Sequence, residues 1–558
     1  MSKFNLTLFF CLLLGVLNAQ SDLSQLLKQM SEQIKPTVTI DKDEVTQQMT
    51  WDDKTPWKVS LYIETTTKGK KNTERYEFNL ADFNAYLVIR QAKDKYQGVQ
   101  CKTDRDRKYI AYWENNERDG YTNNFLLYFK DATLADEFTK QIKEAIPLAQ
   151  TAWNASAQIP ETWDALKGYV SAKIGHVGVE KATIKQILES DKTFDDRAKL
   201  TKIESGNSEP VTEVFEWSWG DLDPNSIDLK LKGDLVTVGI DARRNLRFVQ
   251  AMKNGTANGY KKDISFLVNT PDDAKLLIKG LEKLIPLGEK ALQNRLPKVT
   301  SLEEGIKMLN THLVPIQQKD ERIEQVISGD ANMTLTRKEL MENDKSKNKE
   351  LVYDFYLGDL AANTVDLDIS SNEASIEAFT LQSTRMVAVK NNGVQANYEK
   401  KVAFTAPNIE SARAIHALLP QIIALVPAQV VAAETSTWLI SALADMPTLK
   451  NTTQVTLKQG ATSCAWILTV VTTSEKKQEE EIWEFELERV DIADIKFNVS
   501  GKNIEVVIPA KLKEKVFKYY DDGKQSFVNS IEIPVDSISK AKKVVKTFQS
   551  MGEGCKRN

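Results

Sequence analysis

The chain has 558 residues, of which 41% are hydrophobic and 27% charged, a composition that excludes collagen-like or largely disordered protein. At roughly 100–200 residues per domain, this length predicts about three to five domains. Lys and Arg number 74 and Asp and Glu 78, so a net charge of −4 leaves no global positive field to gather nucleic acid.

Residues 1–19 have the layout of a signal peptide. Lys3 supplies positive charge, Leu8 to Leu14 and Gly15 to Leu17 an apolar core, and Ala19 a small residue at a cleavage point. The alternative for this segment is a buried N-terminal helix. Its apolar run is too short to span a membrane, and no later run reaches the roughly 20 residues a span requires. The apolar core continues past Cys11, which does not fit lipid attachment there. The end of the segment resembles signal peptides of exported proteins of Bacteroidota, which implies a periplasmic or extracellular location. Cleavage leaves Cys101, Cys464 and Cys555, too few for a disulfide framework. Cys464 and Cys555 fall in the same C-terminal stretch, so either one bridge forms or Cys464 is buried and Cys555 free.

The next stretch opens with a helical pattern in which Leu23, Leu26, Leu27, Met30 and Ile34 share a face. Strand patterns follow at Thr37 to Met49, Trp57 to Thr65, Arg75 to Phe83, Ala85 to Ile89, Tyr96 to Thr103, Tyr109 to Glu114 and Tyr121 to Phe129. A closing amphipathic helix spans Ala132 to Ala149.

This series is then repeated. An eight-residue pattern (aromatic, acid, aromatic, any, apolar, any, usually Asp, apolar) begins at Tyr76, Phe215, Tyr353 and Trp483, at spacings of 139, 138 and 130 residues. Its first, third and fifth positions are apolar in every copy, the period of a strand with one face in a core. The recurrent acid, Glu77, Glu216, Asp354 or Glu484, is therefore expected to face solvent or pair with a base on the next strand. Later opening helices are predicted from Trp163 to Ile174, from Leu302 to Leu313 behind a Ser301–Glu304 capping box, and from Ser436. Turns are predicted at Asp119-Gly120, Asn254-Gly255, Asn392-Gly393 and Asp522-Gly523. Closing helices are predicted at Asp272 to Leu287, Asn408 to Val426 and Ser537 to Met551. Pro147, Pro286 and Pro427 stand where the first three closing helices should end, and are read as devices that turn the chain into the next copy. The fold class expected is α+β: four tandem repeats at 20–153, 160–292, 299–430 and 436–558. Each is an antiparallel β-sandwich or curved sheet with a C-terminal helix and an added N-terminal helix.

Seven antiparallel strands closed by a helix, with the step Phe78-x-Leu80-x-Asp82-Phe83 in the third, resemble a pleckstrin-homology-like domain. The resemblance covers about 100 residues of each repeat and implies a binding or scaffolding module. A different curved sheet with a packed helix is the competing fold. The family's phosphoinositide loop would fall near Asp52-Asp53-Lys54, which is not a basic cluster, so no site is carried over.

Catalytic signatures are missing from the sequence. His176, His312 and His416 have no metal-ligand spacing, and no nucleophile elbow, P-loop or dinucleotide fingerprint occurs. Asp221-Leu222-Asp223-Pro224-Asn225 begins like a calcium loop but has Ser226 and Lys232 where Gly and Glu are required, and reads as a turn. Lysines cluster at Lys68-Gly69-Lys70-Lys71, at Lys345, Lys347 and Lys349, and at Lys476-Lys477, one loop seen in three repeats. They read as solvated hairpin tips, or as anion contacts. Trp51, Trp57, Trp113, Trp217, Trp219, Trp466 and Trp483 fall in or beside strands and are assigned to cores. The function expected is an exported, non-enzymatic interaction or structural protein, with no cofactor, whose partner is another protein or a cell-envelope component. The alternatives are a carrier of a small apolar ligand between sheet and closing helix, and an enzyme with an unrecognised site.

Overall fold

The computed structural model describes residues 20–179, 182–206, 209–318, 321–341, 348–427, 431–444, 452–473 and 477–556. The signal-peptide segment 1–19 lies outside the described residues. The chain is a mixed α+β protein of four repeated modules, each built from two antiparallel sheets and closed by a helix. It divides into two compact halves between Arg295 and Leu296, with two modules in each.

The first module sets the pattern. Helix α1 occupies 20–34. Then follow β1 (Val38–Ile40), β2 (Asp43–Asp52), β3 (Thr55–Thr67), β4 (Lys70–Asn79), β5 (Phe83–Lys93), β6 (Tyr96–Thr103), β7 (Ile110–Glu114), β8 (Glu117–Thr122), β9 (Asn124–Phe129) and helix α2 (Ala132–Ser156). One sheet has the order β1-β2-β3-β4-β7-β8 and the other β5-β6-β9. Leu23, Leu27 and Met30 of α1, Val59 and Leu61 of one sheet, Val99 and Leu127 of the other, and Phe138 and Ile142 of α2 share one core. A void of about 10 Å³ within this core has room for one water at most. The second and third modules repeat the six-plus-three arrangement. The fourth has five plus three strands among the described residues.

Nine strands replace the seven expected because two apolar runs are each broken by a turn. Thr37 to Met49 folds back at Asp41, whose φ is +55°, and Tyr121 to Phe129 divides between β8 and β9. The turn expected at Asp119-Gly120 lies instead at Asn115-Asn116, both with positive φ, while Gly120 sits inside β8. The other three Asn-Gly or Asp-Gly turns fall where the sequence puts them.

The eight-residue pattern is a corner rather than one continuous strand. In each copy the chain leaves the larger sheet, makes one 3-10 turn, and enters the smaller sheet or its edge. The turns are Leu80–Asp82, Trp219–Asp221, Leu357–Asp359 and Leu487–Arg489. The fifth-position side chain remains buried in all four.

The other helices are α3 (Trp163–Lys173), α4 (Pro271–Arg295), α5 (Leu302–His312), α6 (Ile409–Leu425), α7 (Ser436–Ala444) and α8 (Ile538–Lys556). Two expected helix ends are wrong. Pro147 and Pro286 lie inside α2 and α4, which continue to Ser156 and Arg295. Proline removes one hydrogen bond, but the helix beyond it buries Ala149, Ala152 and Trp153 in α2, and Leu292 in α4. Helix α6 ends at Leu425, before Pro427, although it too carries a proline inside, Pro420. Cys464 and Cys555 form a disulfide that ties α8 to the first described sheet of its module, and Cys101 is buried and unpaired.

A buried glutamine joins the two sheets in three modules. Gln47 Nε2 donates to the Tyr128 carbonyl at 2.7 Å, and Gln47 Oε1 accepts the Tyr128 N–H at 2.9 Å. Gln186 makes the same pair with Leu267, at 2.7 and 3.0 Å, and Gln325 with Thr405, at 2.6 and 3.0 Å. The side-chain amide thus stands in for a strand on the free edge of the smaller sheet. Gln186→Leu would leave both Leu267 backbone groups buried without partners. It is expected to cost roughly 2–4 kcal/mol in the N-terminal half, read as a lower urea midpoint for that half's transition with the other half unchanged.

Candidate functional site

The corner of the first module places a carboxylate where two modules meet. Asn79 ends β4, and its Oδ1 accepts the Ala81 N–H at 2.9 Å, which tightens the 3-10 turn. Leu80 goes inward and Asp82 outward. Asp82 Oδ1 accepts a hydrogen bond from Lys275 Nζ of α4, in the second module, at 2.5 Å. Lys275 also pairs with Asp272 at 2.7 Å, and Asn79 Nδ2 donates to both Asp272 oxygens, at 3.0 and 3.1 Å. The ammonium stands 5.4 Å from the Tyr109 ring centroid and 5.2 Å from that of Trp153.

The C-terminal half builds the same clamp. Lys542 of α8 donates to both oxygens of Asp359 at 2.6 Å, beside the Tyr356 ring. A second contact also recurs. In the first half Tyr121 packs on the core of the second module, and a Cβ on Gly120 would lie 3.2 Å from the Gly233 carbonyl oxygen. In the second half Tyr398 joins the core of the fourth module and its N–H donates to the Gly501 carbonyl at 2.9 Å. The corresponding corner residues of the second and fourth modules turn back on their own chain. Asp221 Oδ2 accepts the Ser218 N–H, and Arg489 meets Glu486.

Beside Asp82 opens a groove of about 510 Å³, lined by the corner, the β6–β7 connection, α2 and Lys275. The Asp82 side chain is only 9% exposed, yet its Oδ2 has no hydrogen-bond partner. Burial pushes its carboxyl up to about 6, outweighing the attraction of Lys275. Asp272 pushes the same way, and Arg107 opposes. Burial works against the Lys275 charge, but Asp82 and Asp272 together overcome it and hold this ammonium above its ordinary value. Around the groove, Asn84 Nδ2 donates to Asp104 Oδ1 at 3.0 Å, Arg107 Nη1 to the Tyr109 hydroxyl at 3.2 Å, and Gln150 Nε2 to the Phe83 carbonyl at 3.2 Å.

The residues singled out by sequence do not assemble into this groove. The recurrent acids behave as expected: Glu216 pairs with Arg197, Asp354 with Lys390 and Glu484 with Lys518 across strands, while Glu77 meets Arg75 on its own strand. In the lysine loops Lys71 pairs with Glu64, Lys349 with Glu339 and Lys477 with Glu479, which favours the hairpin-tip reading. Lys345, Lys347 and Lys476 lie outside the described residues. His176 is exposed on a strand, and His312 and His416 are on α5 and α6. Asp223 caps a second 3-10 turn, Pro224–Ser226, so the calcium-like stretch is indeed a turn. Among the described residues, no group of three or more His, Cys, Asp or Glu could hold a metal ion. No helix of the described residues is long and apolar enough to cross a membrane. Trp57, Trp217, Trp219, Trp466 and Trp483 are buried, whereas Trp113 has the Arg75 and Arg118 guanidinium groups 4.0 and 5.1 Å from its ring centroid.

Sequence reasoning missed Asp82 and Lys275. The available signal was the seventh position of the pattern, Asp in three copies of four. Compared with known protein families, curated proteins and solved structures, the chain finds no match.

Between the ordinary aspartate value of 3.8 and about 6, folded Asp82 holds a proton that the unfolded chain has lost. Its contribution to stability is therefore full below about pH 4 and is lost as pH rises through about 6. Asp82→Asn removes this dependence. Its unfolding free energy, compared with the wild type by urea titration of the N-terminal half, should gain on the wild type from pH 4 to 7. A variant that instead falls behind over that range would mean that Lys275 stabilises the carboxylate more than burial penalises it.

Proposed function

We propose that this chain is an exported interaction or structural protein without an active site. Its four modules work as two compact pairs, each offering a surface to another protein or to a cell-envelope component. One observation carries this reading: the recurring polar residues are engaged in holding the fold together. Asp82 and Asp359 clamp one module to the next, and Gln47, Gln186 and Gln325 join sheet to sheet. A catalytic set would be expected to recur in the same way.

Further features support the reading. The Cys464–Cys555 bridge suits an oxidising compartment, in keeping with a signal peptide at 1–19. Antiparallel sheets closed by a C-terminal helix fit a pleckstrin-homology-like module, to which the opening helix and two extra strands would be additions. The carrier reading needs an apolar cavity of about 300 Å³ or more, and the first module's core leaves a void of about 10 Å³.

The test is to express the full chain in its host, fractionate the cells and examine the protein by native mass spectrometry. The expected result is a protein outside the cytoplasm, shortened by 19 residues, with Cys464 and Cys555 oxidised and no bound lipid. A stoichiometric lipid mass would favour the carrier, and a cytoplasmic, unprocessed chain would overturn export. Cys555→Ser should lower the stability of the C-terminal half by roughly 2–4 kcal/mol and leave the N-terminal half unchanged, as read by calorimetry.

A further inference from the structure

The first module departs from the other three at one place beside the clamp. After the corner, the second, third and fourth modules make a second 3-10 turn, at Pro224–Ser226, Ala362–Thr364 and Ile492–Asp494. The first module has no such turn. Its chain stays extended in β5, and pairing with β6 is interrupted between Phe83 and Val88. In the fourth module this place is filled: Ile492 is buried, and a Cβ on Gly552 of α8 would lie 2.6 Å from Ile492 Cδ1. In the first module the corresponding space is the open groove, with Ala85 and Ile146 in its wall. The irregular stretch also turns Tyr86 outward, leaving it 92% exposed, with its N–H donating to Asn84 Oδ1 at 2.9 Å. A bulge of this kind re-aims a side chain, a device common next to binding sites.

We infer that this groove binds a neutral saccharide, with the Tyr86 ring as its platform and the exposed Asp104 and Arg107 side chains as its hydrogen-bonding groups. The inference narrows the envelope component of the proposed function to carbohydrate. It rests on that reading for where the sugar is met, but not for the binding itself.

Charge and hydrogen-bonding capacity select the ligand class. Two carboxylates, Asp82 and Asp104, and two cations, Arg107 and Lys275, line the same groove. An anion entering it meets the carboxylates and a cation meets the ammonium and guanidinium groups, so neither sign gains overall. An uncharged ligand that both donates and accepts suits such a lining, and hydroxyl groups do both. The exposed Asp104 carboxylate accepts hydroxyl hydrogens in charge-assisted hydrogen bonds. Arg107, at the rim, has further N–H groups to offer ring and hydroxyl oxygens. The C–H face of a pyranose is apolar and packs on an aromatic ring, and an exposed Tyr86 that contributes little to its own core is available for it. The volume of about 510 Å³ lies within the usual range for small-molecule sites.

The experiment uses the full-length chain on an array of neutral oligosaccharides, followed by titration calorimetry with the best-binding sugar. Inorganic phosphate and ethylammonium serve as charged probes. Tyr86 is exposed, so Tyr86→Ala should leave the thermal midpoint unchanged while weakening sugar binding at least about tenfold. Tyr86→Phe keeps the ring and should bind within about threefold of the wild type, and Arg107→Ala should weaken binding by a factor similar to that of Tyr86→Ala. The inference is overturned if no neutral sugar binds at about 10 mM, if Tyr86→Ala binds as well as wild type, or if a charged probe occupies the groove in preference to sugar. Failure of any of these arms leaves the proposed export unaffected, because processing and location are read separately.

Discussion

A lysine set among aromatic rings and largely withdrawn from water must be met by carboxylates, and that requirement joins the modules in twos. Lys275 lies between Asp82 and Asp272, and Lys542 grips both oxygens of Asp359. Removing one partner from such a pair leaves a buried charge uncompensated, a heavier penalty than the pair's net contribution. The closing helix of the second module is thereby fixed on the corner of the first, and the fourth on the third. Asp221 and Arg489 occupy the same corner position in the even modules but are engaged by their own turns. The sequence therefore repeats once per module, while the inter-module contact repeats once per pair.

Much of the fold was legible because periodicity survives local irregularity. The corner pattern keeps its apolar alternation through the 3-10 turn, since Leu80, Trp219, Leu357 and Leu487 still point inward. It therefore reads as one strand although the chain changes sheets within it. The helix prolines misled for a related reason. Propensity places a stop at Pro147 and Pro286, but apolar residues beyond them can be buried only if the helix continues. Gln47, Gln186 and Gln325 recur at intervals of 139 residues, yet a polar residue in a strand reads by default as solvent-facing. Its role as a substitute for backbone pairing depends on a sheet edge that only the tertiary fold brings near.

The clamp was half legible. A seventh-position aspartate in three of four copies marks the site, but nothing local distinguishes Asp82 and Asp359, which reach another module, from Asp221, which caps its own turn. The partner lysines lie 193 and 183 residues further along, on helices where lysine is common. Only the packing of whole modules pairs them.

The groove was legible only as an exception to the repeat. Three modules follow the corner with Asp223-Pro224-Asn225, Ala361-Ala362-Asn363 or Asp491-Ile492-Ala493, and all three make a turn there. The first has Asn84-Ala85-Tyr86, which stays extended. A module built from two sheets and a closing helix tolerates one departure at the corner, because its other sheet and helix contacts remain in place. The lost turn opens a space that the clamp already borders with a buried, half-satisfied carboxylate. Repetition thus supplies the stability, and the single broken copy opens a groove where the fourth module is filled by Ile492.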